Sequence, residues 1–206
     1  MSGSDVFSTF IQSSDIAAAD PDGICTSQTT SGAANLTIAG ALATAGVATL
    51  VPARNVSITS GGSDERTKTF TVTGTDVSGN TVSEEIAGPN TSATVSTTSI
   101  FLTVTQVAVD GALAGNVTVG SGATVSATIF AGRARIRGIY FVNSNNAGPL
   151  TFVDGNNGAT VMKLLTTGTQ NTSDYPDIPD EGLLCKDGAF VNFLAADVTA
   201  LTVFFN

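Results

Sequence analysis

Between Lys68 and Ile86 the chain alternates apolar and polar residues, turns, and alternates again, a period that β-strands satisfy and helices do not. In Thr69-Phe-Thr-Val-Thr73, Phe70 and Val72 fall on one face and threonines on the other. Asp76-Val-Ser-Gly-Asn80 is a hairpin turn in which Gly79 can supply a positive φ, and Thr81-Val-Ser-Glu-Glu-Ile86 is the returning strand. The same texture recurs at Leu36-Thr-Ile-Ala39, Ala48-Thr-Leu-Val51, Asn55-Val-Ser-Ile-Thr59 and Asn116-Val-Thr-Val119. In Ile100–Val109 the apolar face shifts near Thr105-Gln106, as a β-bulge would make it. Short strands with turns at roughly ten-residue spacing predict an immunoglobulin-like β-sandwich over residues 32–122.

After Gly120-Ser-Gly122 the pattern restarts. Arg135-Ile-Arg-Gly-Ile-Tyr-Phe-Val142, Leu150-Thr-Phe-Val153, Thr160–Leu165, Ala189–Leu194 and Leu201-Thr-Val-Phe-Phe205 predict a second, compact sandwich of jelly-roll-like type over residues 123–206. Asp154-Gly-Asn-Asn-Gly158 is a further hairpin turn. No stretch carries a sustained helical period, so the expected fold class is all-β, two small modules after an N-terminal arm of residues 1–31. The arm carries an apolar patch, Val6, Phe7, Phe10 and Ile11, that reads as having no strand alternation of its own. It either tucks back onto its own domain or docks on a neighbouring subunit.

Hydrophobic residues make up 42% of the 206 and charged residues 12%, about half the usual charged share. A free monomer normally uses mixed surface charge to stay apart from its neighbours, so this composition points to a surface covered in an assembly. The net charge of −9 opposes nucleic-acid binding. No apolar run reaches the roughly 18 residues of a membrane span, and no basic-then-apolar leader opens the sequence. The expectation is a chain made in a cytoplasm and left soluble, with Cys25 and Cys185 reduced and no membrane or nucleic-acid partner.

Chemistry-bearing constellations are scarce. There is no histidine, which removes the commonest general base, the Ser-His-Asp and Cys-His arrangements and most zinc sites. Glu84 and Glu85 are adjacent, so on a strand they face opposite sides and cannot act as a carboxylate pair. Asp174-Tyr-Pro-Asp-Ile-Pro-Asp-Glu181 gathers four carboxylates, but without the glycine-containing spacing of a calcium loop it reads as a solvated, proline-stiffened loop. The expectation is therefore no catalytic residues, no cofactor, no metal and no enzyme activity. Arg133, Arg135 and Arg137 alternate, which on a strand makes one cationic stripe, suited either to a partner's carboxylates or simply to a solvated face. With Val6, Phe7, Phe10 and Ile11 they are the candidate interface residues.

Two groups of segments carry a resemblance. Arg54-Asn-Val-Ser-Ile-Thr-Ser60 with Thr69–Asn90 and Phe101-Leu-Thr-Val-Thr-Gln-Val107 form the first; Ala134-Arg-Ile-Arg-Gly-Ile-Tyr140 with Asp177–Leu184 and Leu201–Phe205 form the second. Together they resemble two-module structural proteins of tailed-bacteriophage virions, including the capsid cement or decoration proteins. The likeness lies in strand-and-turn texture, not a diagnostic motif, and covers most of the chain beyond the arm. It implies a virion protein made in the host bacterial cytoplasm, with the major capsid protein and copies of itself, as a homotrimer, for partners. Related modules occur in phage tails, adaptors and fibres, and a carbohydrate-binding β-sandwich is the alternative from another class.

Overall fold

A computed structural model describes residues 5–206. In chain order its strands are β1 (Phe7–Gln12), β2 (Cys25–Gln28), β3 (Ala34–Asn35), β4 (Ala43–Thr44), β5 (Val47–Ser60), β6 (Thr69–Thr75), β7 (Thr81–Ala87), β8 (Thr94–Ser96) and β9 (Phe101–Val109). There follow β10 (Val117–Phe130), β11 (Ala134–Asn143), β12 (Pro149–Asp154), β13 (Ala159–Leu165), β14 (Ser173–Asp174), β15 (Leu183–Cys185), β16 (Ala189–Leu194) and β17 (Val198–Phe205). The helical segments among the described residues are single 3-10 turns, Ser13–Asp15 and Ala195–Asp197, so the fold is all-β. No described helix is long and apolar enough to cross a membrane.

The chain divides into two compact units, Ala18–Ala123 and a second that joins the segment up to Ala17 to Thr124–Asn206. In the first, the β6–β7 hairpin pairs Phe70 with Ile86 and Val72 with Glu84, and Gly79 takes φ +82° in the connecting turn. Asp76 braces that turn by accepting hydrogen bonds from the backbone N–H groups of Ser78 (2.8 Å) and Asn80 (2.9 Å). On the other side of β6 lies β9, with the register shift expected there: Gln106 pairs Thr73, Val104 pairs Gly74, and Thr105 is left over. Phe70, Val72, Ile58, Phe101, Val104, Val107 and Val119 are fully buried together. Each such side chain contributes about 1.5–3 kcal/mol relative to exposure.

The second unit is a sandwich in the literal sense. One sheet runs β1-β17-β11-β14, with β15 also on β11; opposite it lie β13, β12, β16 and the later residues of β10. Their inner faces meet in one core: Ile136, Ile139, Leu201 and Val203 from the first sheet, Leu150, Phe152, Val191 and Phe193 from the second.

The segment Gly120-Ser-Gly122, after which the strand pattern restarts, lies inside β10; a Cβ at Gly120 would fall 2.0 Å from the Asp20 carbonyl oxygen, and one at Gly122 would fall 2.2 Å from Asn55 Oδ1. These glycines let other groups approach a strand closely. The arm is not a unit of its own. Phe7, Phe10 and Ile11 of its apolar patch lie in the strand β1, paired along its length with β17, and Val6 precedes it, whereas Ile24 and Cys25 are fully buried in the core of the unit Ala18–Ala123.

Candidate interaction surface

Strand β1 alternates after all, and its pairing decides where each side chain goes. Phe7, Thr9 and Ile11 stand opposite Phe205, Val203 and Leu201, so they share the inward row of the sheet. Ile11 packs against the core of this unit. Thr9 donates its hydroxyl to the Ile129 carbonyl (2.9 Å). Phe10 belongs to the other row, beside Thr202, which in turn stands beside Tyr140.

That outer row is aromatic. Phe204 pairs with Gly138, and a Cβ built at Gly138 would lie 2.7 Å from the Tyr175 hydroxyl and 3.4 Å from the Phe204 ring. Phe10, Phe204, Tyr140 and Tyr175 therefore share one face of the β1-β17-β11 sheet. Phe10 is 61% exposed and Tyr175 63%. Isolated exposed apolar residues need no explanation, but a contiguous group of them marks a contact surface.

At the end of β1 the inward row runs out of core. The Phe7 ring lies 6.0 Å from that of Phe205, and Phe130 lies 5.4 Å from Phe205 on its other side, both tilted by 33°. Together with Arg133 and Asn206 these rings line an apolar cleft of about 340 Å³. Phe7 is 59% exposed and Phe130 45%, and Val6, the residue before Phe7, is 57% exposed. The ring spacings are those at which aromatic pairs attract.

Arg133, Arg135 and Arg137 alternate with the buried Ala134 and Ile136, and the pairing of β11 with β17 shifts between Ile136 and Gly138, so Arg137 occupies a bulge. Arg135 donates from Nη1 to the Glu181 carbonyl (3.0 Å). A Cβ at Gly182 would meet Arg137 Cδ at 3.0 Å and Arg135 Cβ at 3.4 Å, which puts both over the end of the acidic loop. Arg133 stands apart, at the cleft. Arg66 and Asp64 form an exposed ion pair (2.8 Å).

The carboxylates have structural partners instead. Glu65 is fully buried and accepts the N–H groups of Ala114 (3.1 Å) and Gly115 (2.8 Å). Burial pushes the Glu84 carboxyl up, but hydrogen bonds from Thr98 and Ser99 outweigh it and hold the group below its ordinary value. Within the acidic loop, Asp174 accepts the Asn143 amide (2.7 Å). Among the described residues no three His, Cys, Asp or Glu side chains are grouped to hold a metal ion. Both cysteines are buried and unbridged, and burial raises their thiols to about 12 for Cys25 and about 11 for Cys185.

Thus Phe7 and Arg133 meet at one cleft, Val6 is exposed beside Phe7 in sequence, Phe10 projects from the opposite row, Ile11 packs against the core, and Arg135 and Arg137 gather at the acidic loop. The aromatic partners Phe130, Phe205, Phe204, Tyr140 and Tyr175 escape a sequence reading because only the β1–β17 pairing assembles them. The one available signal is Phe204-Phe205 at the end of a strand, where an alternating pattern should not place large apolar residues on both faces. No family model matches the chain, and no curated protein matches it either.

Proposed function

We propose that this chain is a non-catalytic structural component of a tailed-phage particle, a cement or decoration protein that binds where capsid subunits meet. The observation that carries the reading is the pair of exposed aromatic features around β1: the cleft at Phe7 and the outer row at Phe10. Phe7, Phe10, Phe130, Tyr140, Phe204 and Phe205 lie on strands, and a rigid apolar patch suits a permanent contact. A protein that binds only the assembled shell stabilises it by mass action. Within the all-β class, we take residues 32–122 as immunoglobulin-like and 123–206 as jelly-roll-like.

The test adds purified protein to phage heads stripped of minor external proteins. The expected result is saturable binding and a higher temperature of genome release. Binding to tails instead would move the protein to a tail or adaptor role, and binding to neither would end the phage reading. A second reading, a carbohydrate-binding module, draws support from Tyr140, Tyr175 and Phe10 sharing one face, since aromatic rings stack on sugar faces. Retardation in polysaccharide-containing gels, lost in Tyr140→Ala, would favour it over the first.

A further inference from the structure

The cleft at Phe7, Phe130 and Phe205 and the projecting Phe10 belong to one strand but to opposite faces of it. One is a concave apolar site and the other a convex apolar group, within the same unit. The geometry points to a second copy of this chain as the occupant of the cleft, with its β1 laid across and its Phe10 ring among Phe7, Phe130 and Phe205. This rests on the assembly reading above and names the partner of that surface.

Charge favours this occupant. The chain contains no Lys or Arg before Arg54, and β1 is bracketed by Asp5 and Asp15, with Asp20 and Asp22 following. The strand that carries Phe10 is therefore flanked in sequence by acidic residues alone. Arg133, one of the chain's eight cationic residues, lines the cleft. An acidic strand with one aromatic projection is thus matched by an apolar cleft with an arginine at its mouth. Size agrees as well, since about 340 Å³ accommodates a phenyl ring and part of the strand that bears it.

Because Phe10 and the cleft are different surfaces, the contact is heterologous: each copy gives one and receives one. Such contacts close into rings or extend as filaments, and do not stop at an isologous pair. That property makes the idea testable by complementation. Phe10→Asp removes the projection and keeps the cleft; Phe130→Asp spoils the cleft and keeps the projection. Full-length protein and both variants are compared by sedimentation velocity, with circular dichroism and melting curves confirming that each is folded. Phe10→Ser and Phe130→Ala replace any Asp variant that fails to fold.

The expected result is association of the unaltered chain, a monomer for each variant alone, and a one-to-one dimer that grows no further when the two variants are mixed. An unaltered chain that stays monomeric throughout the concentration series overturns the proposal. So does a Phe10 variant that still associates, or a mixture that remains monomeric. Shell binding, measured separately, keeps the two ideas distinguishable. A monomeric chain that still binds phage heads sinks only the self-docking; an associating chain that ignores every head and tail sinks only the phage assignment.

Discussion

At the scale of single residues, Asp197 conflicts most with its surroundings. It closes the 3-10 turn Ala195–Asp197, is 3% exposed, and its Oδ2 is buried without a hydrogen-bond partner. The carboxylate packs so closely on Gly148 that a Cβ there would lie 1.7 Å from Oδ2. Burial accordingly raises the Asp197 carboxyl above its ordinary 3.8. A group whose folded-state value is raised stabilises fully below its unfolded value, and that contribution is lost as pH rises. Asp197→Asn should therefore raise stability at pH 7 by about 1–2 kcal/mol, the scale of an unsatisfied buried polar group. The gain should fade as pH falls towards about 4 and be gone below it, where the carboxyl is neutral in both states. Urea titrations of both proteins at several pH values check this, and a gain that persists at pH 3 would contradict it. Nothing in the sequence marks Asp197: it is one acid among many, and its burial follows from the loop that carries Gly148 folding over it.

At the scale of elements, alternation was a good guide wherever one face of a strand meets a core. β6, β7 and β9 are where the period of two puts them, and the shift at Thr105 is visible because Thr105-Gln106 interrupts an otherwise regular apolar row. Alternation does not say which glycines admit a close approach, since a turn and a close approach use the same residue. Gly74 shows the second use: a Cβ there would lie 1.8 Å from the Thr103 carbonyl oxygen, across the β6–β9 pairing. Gly74→Ala should cost about 1–3 kcal/mol or more, because backbone must move to admit the methyl group. Gly62→Ala is the contrast, with nothing near the added atom but φ +135°, so its cost would come from backbone strain alone. Equal, negligible losses in chemical denaturation for both would contradict the assignment of Gly74 to close packing. The candidate interface was legible in part. Val6, Phe7, Phe10 and Arg133 stand out as apolar or cationic residues in the wrong company, whereas the cleft depends on β1 meeting β17 from the far end of the chain.

For the molecule as a whole, the consequence of that long-range pairing is that the N-terminal segment cannot be removed without cost. β1 supplies an edge strand along β17, Ile11 and Ile16 pack against the core of the unit containing residues 124–206, and Thr9 bonds to Ile129. Beyond Ala17 the chain serves the other unit: Ile24 and Cys25 are core residues there, and Ile24 donates its N–H to the Val119 carbonyl (3.0 Å). A truncation series should therefore act in steps. Starting the protein at Phe7 should leave both units intact, because Asp5 and Val6 lie outside β1 and are exposed. Starting at Ala18 should destabilise the unit of residues 124–206 by several kcal/mol, given about 1.5–3 kcal/mol for each large apolar side chain removed from a core, while sparing the other. Starting at Gly32 should damage both. Hydrogen exchange read peptide by peptide distinguishes the steps, since protection in β11 and β17 should fall with the second truncation and protection in β9 only with the third. Unchanged protection in β17 after removal of β1 would mean that the strand adds nothing to the sheet. The apolar segment would then serve contacts with other molecules alone.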